Sequence, residues 1–422
     1  MTFSTIGSGA SERNPDFSRL WLGQGISLIG SQITLLALPI TAAVTLGASP
    51  LQMGFLSAVG SAPALLFGLL AGVWVDRYKR RPILIGSDIG RGLVLAAIPI
   101  LFLIGILRVE ILYVVSFLVG ALSLFFNIAY RSYLPGLVRK EELVRANSRL
   151  ELSNSVAEII GPGAAGGLVQ LIGAPLAIAA DAISFLISAF SINLIRTPEP
   201  TIKPPGTGTN IAEEIKAGLK LVFGEYELRS LAGCITSLSL FNAMFEAVQI
   251  LFLTRQLSLN AVWLGFIFAF GSVGFLLGAL VVDRLTIRIG LGRSLILGVL
   301  VTGMSDLLTP LAGTIGHFGL VVGMLVLGQF FFGMGLTTFQ IGQFSLRQSV
   351  TPSNLLGRMN ATLSMLTWGI VPLGGLLGGV LGEIIGLSPT LALAALGEIL
   401  AVLWLLFSPI RTTRRTGNEH EQ

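Results

Sequence analysis

The sequence predicts an all-α membrane protein, with twelve transmembrane helices in two six-helix, pseudo-symmetric bundles. Three observations carry this reading. The 422-residue chain is 53% hydrophobic and only 12% charged, where a water-soluble protein carries roughly a quarter charged residues. Twelve apolar runs long enough to cross a bilayer fill most of it, a crossing needing about 20 mostly apolar residues. Lysine and arginine crowd alternate connections and are nearly missing from those between, the pattern that orients membrane helices.

The runs read as 19–46, 51–75, 83–105, 110–134, 150–172 and 175–195, then 229–253, 261–282, 293–313, 317–341, 358–386 and 389–409. Backbone amides in lipid must find partners within their own segment, so each run is expected as an α-helix. None alternates polar and apolar residues as a membrane β-strand would. The first 18 residues are polar and carry no apolar signal core, so no cleavable signal peptide is expected and the first run stays as a helix.

The basic residues set the orientation. With the N-terminus in the cytoplasm, the cytoplasmic segments hold Arg13 and Arg19; Arg77, Lys79, Arg80 and Arg81; Arg139, Lys140, Arg145 and Arg149; and Arg284, Arg288 and Arg293. The central linker and the tail add Lys203, Lys216, Lys220, Arg411, Arg414 and Arg415, while the opposite side has Arg108 and Arg255. Twelve crossings then return the C-terminus to the cytoplasm. The net charge of +5 is thus a topology signal and does not call for a nucleic-acid partner.

Residues 197–210 form a Pro/Gly/Thr-rich linker, whose composition breaks helices. After it Ile211, Ile215, Leu219 and Val222 recur at helical spacing opposite Glu213, Glu214, Lys216 and Lys220, the pattern of a short helix on the membrane surface. The expected units are a bundle over 1–196, a cytoplasmic linker with its interfacial helix over 197–228, and a second bundle with a short tail over 229–422. The halves also resemble each other. At an offset of 213 residues Leu143-Val-Arg145-Ala-Asn147 lies over Leu356-Gly-Arg358-Met-Asn360, and Gly161, Gly166 and Gly173 lie over Gly374, Gly379 and Gly386. Internal duplication of this kind is common in secondary transporters.

The loop after the second run reads Gly72-Val-Trp-Val-Asp76-Arg77-Tyr-Lys79-Arg80-Arg81-Pro82. It resembles the GxxxDRxxRR signature of the major facilitator superfamily, and Gly278-Ala-Leu-Val-Val-Asp283-Arg284 resembles a degenerate second copy. Gly161-Pro162-Gly163-Ala-Ala-Gly166-Gly167 in the fifth run is similar to the glycine-proline motif of that superfamily's antiporters. The start, Asn14-Pro15-Asp16-Phe17-Ser18-Arg19-Leu20-Trp21-Leu22-Gly23-Gln24, and Leu134-Pro135-Gly136-Leu137-Val138 resemble its branch of macrolide-efflux-type drug exporters and siderophore exporters. The resemblance implies the major facilitator fold: two bundles rocking about a central site, with Gly72, Asp76, Arg77, Arg80, Arg81, Asp283 and Arg284 at the cytoplasmic gates. Many drug–proton antiporters of the superfamily carry an arginine deep in the fourth helix; here Arg131 sits near its cytoplasmic end. The glycine-proline stretch has a second reading as simple close packing, since proline removes a backbone hydrogen bond and glycine admits a neighbouring helix.

Acidic side chains inside spans are costly and mark functional candidates. They are Asp88, Glu158, Asp181, Glu246, Asp306 and Glu398. Asp88 has Arg91 one turn away and is expected to form a structural ion pair. In the seventh run Asn242, Glu246 and Gln249 fall on one helical face. The first run offers Gln24, Ser27, Ser31 and Thr34, the fourth Ser116, Ser123 and Asn127, and the tenth Gln329 and Gln340. The resemblance makes helices one, four, seven and ten the lining of the cavity, so these side chains are candidates for contacting substrate. Burial favours the neutral form of a carboxylate; Glu246, then Asp181 and Glu158, are therefore the candidates for coupling transport to protons or another cation. No lysine lies within a span, which leans the interior toward neutral or cationic amphiphiles.

One cysteine, Cys234, and two histidines, His317 and His420, leave no disulfide and no multi-cysteine or multi-histidine metal site. No GxxxxGK[ST] phosphate loop and no HExxH constellation occurs, so no ATP drive, enzymatic activity or cofactor is expected. The resulting expectation is a monomeric secondary transporter in a bacterial-type cytoplasmic membrane, exporting a small amphiphile such as a drug, a macrolide-like compound or a siderophore. Transport of a lysophospholipid or another solute through the same fold, and a non-transporting sensor, are the alternatives.

Overall fold

The computed structural model describes residues 14–75, 77–199, 211–352 and 355–412. The first half is α1 (Pro15–Ile40), α2 (Pro50–Val75), α3 (Arg80–Leu103), α4 (Val109–Leu137), α5 (Leu143–Ile172) and α6 (Ala174–Asn193). A shorter α7 (Ile211–Gly224) leads into α8 (Tyr226–Leu251), α9 (Ala261–Ile289), α10 (Leu291–Ala312), α11 (Phe318–Val350), α12 (Leu356–Ile384), α13 (Leu387–Leu400) and the single turn α14 (Leu403–Leu406). Among the described residues twelve helices are long and apolar enough to cross a membrane, and the chain is a multi-pass membrane protein. The end that carries the arginine-rich connections is called the basic end below, and the opposite one the far end.

Several helices outrun their apolar runs, because a helix leaving the bilayer keeps its hydrogen-bond ladder after its side chains turn polar. The case that matters is α9, which continues through Asp283 and Arg284 to Ile289 and turns directly at Gly290. The second copy of the loop motif is thus a pair of exposed helical residues rather than a loop. The helix after the linker, expected on the membrane surface, packs on α12. Gly218 abuts Thr362 and the Arg358 carbonyl, and Val222 shares a cluster with Leu228, Met359 and Leu363.

The duplication is visible in backbone detail. α1 and α8 both end at the far end in a π-helical turn, Thr41–Thr45 and Phe252–Gln256. Gly173 and Gly386, which the repeat register superimposes, both join two helices at positive φ, 85° and 90°. That backbone region is open essentially to glycine alone, so the same tight corner is built twice.

The apolar core divides unevenly along the bundle. Toward the far end one continuous cluster takes residues from both halves, among them Ile33, Leu36, Ile98, Leu112, Val169 and Phe185 from the first and Phe245, Val248, Phe252, Leu264, Leu325 and Leu391 from the second. Toward the basic end the clusters stay within one half each, and besides the small one around Val222 there are two larger ones. One, with Phe17, Leu20, Leu84, Phe126, Tyr133 and Ile192, belongs to the first half. The other, with Leu231, Leu295, Val299, Phe339, Leu346 and Leu405, belongs to the second.

Candidate functional site

The halves meet along two seams, α2 against α12 and α5 against α9. Each depends on facing glycines that let backbones touch. A Cβ on Gly54 would lie 2.5 Å from the Gly375 carbonyl oxygen and 2.6 Å from Gly379 Cα. A Cβ on Gly166 would lie 2.5 Å from the Ala261 carbonyl oxygen and 2.9 Å from Gly265 Cα. Gly166 and Gly379 are equivalent in the repeat, so the two seams are one contact built twice. Further bonds cross at the far end. Arg255 on the second half donates to the carbonyls of Ala43 (3.0 Å) and Ala48 (2.8 Å), and Glu383 accepts from the Leu51 amide at 3.4 Å. The glycine-proline stretch therefore serves close packing: Gly161 is buried against Gln32 of α1 and Gly166 against α9. Pro162 is half-buried between them, and Gly167 has open space around it.

The first half holds a closed polar core. Asp88 and Arg91 form the expected ion pair within α3. The guanidinium lies 4.2 Å from the Phe126 ring centre and 4.1 Å from that of Phe185, and it donates to Ser123. Asp181 accepts from Thr34 and, at 3.1 Å, from Ser184. Gln24 donates to Ser188 at 3.1 Å. The polar face of α1 is thus turned in part onto α6 instead of the central space: Gln24 and Ser27 are buried, Ser31 is half-buried, and Asp181 is 1% exposed. The physical cause is the close α1–α6 approach at Gly23 and Gly30, the latter abutting Ser184 and Asp181. Asn127 on α4 remains exposed.

The second half is built differently. Glu246 is exposed while Ala243–Phe245 and Ala247–Leu251 around it are buried. α8 packs against α12 and α13 of its own half and α2 of the other, so this open flank borders the space between the halves. Asn242 is half-buried and Gln249 buried, so only part of the polar stripe is open. On α11, Gln340 is exposed, whereas Gln329 sits against Gly271 of α9. Glu158 is exposed on α5, accepts from Asn154 at 2.9 Å, and its carbonyl accepts from Ser272 of α9.

Asp306 and Glu398 are functional candidates in the sequence but not among its coupling candidates. The structure brings them together between α10 and α13, with Asn242 and Glu246 of α8 alongside. The signal available was that neither has a basic residue one turn away, in contrast to Asp88 with Arg91.

At the basic end Asp76 lies outside the described residues. Gly72 is half-buried and Arg77 exposed. The main-chain amides of Arg80 and Arg81, at the start of α3, donate to the Glu199 carboxylate at 2.6 and 3.3 Å, and Arg81 also donates to the Asn193 carbonyl at 2.6 Å. Asp16 accepts from the Thr197 amide (2.8 Å), its hydroxyl (2.6 Å) and the Arg196 amide (3.1 Å). The segment after α6 is thereby strapped across the ends of α1 and α3. Glu199 was not singled out from sequence, though a helix N-terminus with free amides attracts a carboxylate. A cleft of about 550 Å³ beside the strap, lined by Asn14, Asp16, Leu137, Arg139 and Thr197, lies within the first half alone.

Comparisons with known proteins agree with this architecture. Residues 20–370 match the Major Facilitator Superfamily. Macrolide efflux protein A of Streptococcus pyogenes is 26% identical over 209 residues, 49% of this chain and 51% of that protein, so the match spans about half the length of that relative. Multidrug efflux pump Tap of Mycolicibacterium fortuitum is 28% identical over 399 residues, covering 90% of this chain and 92% of its own. Enterobactin exporter EntS of Escherichia coli O127:H6 is 24% identical over 400 residues, 93% and 91% of the two chains. Among solved structures, a bacterial homologue of the iron transporter ferroportin in an inward-facing state aligns with a TM-score of 0.73 at 19% identity, over 94% of this chain and 98% of that one. With two duplicated six-helix halves, glycine seams between them and a family match over most of its length, the chain belongs to the major facilitator superfamily and is a membrane transporter, not an enzyme.

Proposed function

We propose that this transporter exports a small amphiphilic compound from the cytoplasm by alternating access, as a proton antiporter of the cytoplasmic membrane. The observation that carries the reading is the division of the core: one cluster joins the halves at the far end, while each cluster toward the basic end belongs to one half alone. Positively charged loops face the cytoplasm. The basic end is then cytoplasmic, both termini lie there, and the space between the halves opens inward with its outer end sealed. Asn127, Glu246 and Gln340 are exposed on helices assigned here to the walls of that space. Polar groups this sparse among apolar helices suit an amphiphile of neutral or positive charge. Efflux and export activities in the names of relatives matched over 90% or more of this chain support the outward direction.

The test is transport by purified protein in liposomes, with ethidium as a lipophilic cation and erythromycin as a macrolide. An imposed acid interior should drive accumulation of at least one of them, and a protonophore should abolish it. Ethidium and erythromycin that equilibrate at the protein-free rate, with and without the gradient, would refute the export reading for both classes.

A further inference from the structure

We propose that Asp306 and Glu398 form a carboxyl pair sharing one proton, and that this pair, reached from the central space through Glu246, is where the transporter couples substrate movement to protons. This inference rests on the antiport reading above and moves its centre away from Glu158 and Asp181.

The geometry begins with two close helix approaches. A Cβ on Gly303 of α10 would lie 2.8 Å from the Ile399 amide nitrogen and 3.1 Å from the Ala395 carbonyl oxygen of α13. Gly397 of α13 abuts the ring of Phe241 on α8. Asp306 stands one turn after Gly303, and Glu398 stands between Gly397 and Ile399. Both acids are fixed inside these contacts, at 2% and 0% exposure.

Neither the Glu398 oxygens nor Asp306 Oδ2 make a well-formed hydrogen bond; the one polar donor beside Glu398 is the neutral Asn242 amide. Two ionised carboxylates cannot rest together in such a place, because at low dielectric their repulsion far exceeds what it would be in water. One proton held between them supplies the missing donor and removes one charge, leaving a single titrating pair. The equivalent core of the first half solves the problem otherwise: Asp88 has Arg91, and Asp181 has Thr34 and Ser184. Among the described residues no cation acts on this pair. Asn242 and Glu246 of α8 face the pair. The remaining titratable groups on the helices around it stand well away along the chain: Arg293 at the start of α10, Tyr226, Glu227, Arg229 and Cys234 in the first third of α8, Arg347 late in α11, and Arg358 and Glu383 at the two ends of α12.

Glu246 supplies the path. It is exposed to the central space and lies within electrostatic reach of both buried acids. A proton entering from the far side when the outer seam opens converts the singly charged pair to a neutral one. The same proton leaves through Glu246 to water when the basic end is open, restoring the negative charge that a cationic substrate can answer. One proton enters and one leaves per cycle, with no other chemistry.

The test compares wild type with Asp306→Asn, Glu398→Gln and Glu246→Gln in liposomes with ethidium. Two modes are measured, pH-gradient-driven accumulation and counterflow without a gradient. The infrared carbonyl band of a protonated carboxyl group in an apolar setting is recorded on the same proteins. The expected result is counterflow within about twofold of wild type and gradient-driven accumulation lower by about tenfold or more in Asp306→Asn and Glu398→Gln. The wild-type carbonyl band should be lost in Glu398→Gln, and Glu246→Gln should slow gradient-driven uptake while keeping the band. Wild-type accumulation in both Asp306→Asn and Glu398→Gln overturns the coupling role and leaves export standing. Lack of the carbonyl band in wild type overturns the shared proton. Wild type that moves no ethidium is assayed in the same two modes with erythromycin, and wild type that moves neither overturns the antiport reading and the coupling role with it.

Discussion

Replacing Gly166 by alanine adds one methyl group at the α5–α9 seam, and its consequence can be worked from the structure. The new Cβ would meet the Ala261 carbonyl oxygen at 2.5 Å, Gly265 Cα at 2.9 Å and the Gly265 nitrogen at 3.2 Å. All three are backbone atoms, which cannot rotate away as a side-chain tip would. Overpacking of this kind costs about 1–3 kcal/mol. The cost falls on the conformation in which the far-end seam is closed, because a separated seam gives the methyl room. A shift of that size changes the ratio of closed to open outer ends by roughly 5- to 150-fold. Alanine also favours a helix interior over glycine by about 1 kcal/mol, but α5 is helical whichever way the halves lean, so that gain cancels. Gly163→Ala is the control: it lies on the same helix, and a Cβ there has nothing within 4 Å.

The assay is a distance measurement between spin labels at Ile106→Cys and Thr314→Cys, in a Cys234→Ser background. These positions lie in the far-end connections of the two halves and are exposed. Gly166→Ala should move the distance distribution to longer values, with Gly163→Ala matching the parent. Identical distributions for Gly166→Ala and the parent would refute the claim that this seam limits opening. So would an equal shift in Gly163→Ala, which would trace the effect to helix propensity.

Three further outcomes follow from the same structure. Arg255→Gln removes charged donation to the Ala43 and Ala48 carbonyls, an interaction of about 1.5–3 kcal/mol; the label distance should lengthen as in Gly166→Ala, and an unchanged distance would count against the bridge. Arg91→Met strands Asp88 without its partner, at a cost of about 3–5 kcal/mol, so thermal unfolding in detergent should begin at markedly lower temperature. The double variant with Asp88→Leu should recover most of that loss, and equal loss in single and double variants would show that the pairing is not what matters. Gly386→Ala forces a side chain into a backbone with φ of 90°, costing about 1–3 kcal/mol; unfolding should shift down, whereas Gly357→Ala, in open space, should leave it in place.

The twelve crossings and the duplication were legible in the sequence because they depend on composition and register. Apolar length decides what enters a bilayer, and Gly173 over Gly386 could be read from an offset before either was seen to turn a corner. The faces of the polar helices were less legible. Gln24, Ser27 and Thr34 share one side of α1, but spacing alone does not say whether that side meets water or another helix. The deciding fact is on α6, where Asp181, Ser184 and Ser188 wait at matching heights. The Asp306–Glu398 meeting was hidden for the same reason, its members lying 92 residues apart on two helices that each look ordinary. The basic-end strap was missed because Glu199 belongs to a linker whose composition says only that it is not helical.

The two halves share a plan and differ in where they keep charge, and that difference bears on how such a machine could be driven. In the first half every buried acid described has a donor or a cation beside it, and Arg91 is enclosed by two aromatic rings. Adding or removing a proton there would break bonds already made, so this half is electrically settled whichever end of the bundle is open. In the second half the buried oxygens of Glu398 have no cation and no well-formed hydrogen bond, only the neutral Asn242 amide beside them, and a neighbouring acid, Glu246, is exposed. A change of charge there breaks no ion pair, and Glu246 lies within its electrostatic reach. The seams, by contrast, are matched, since Gly54 against Gly379 repeats Gly265 against Gly166. The matched seams repeat one backbone contact at the far end, and under the coupling proposed above the unmatched cores are what would make closure respond to a single proton.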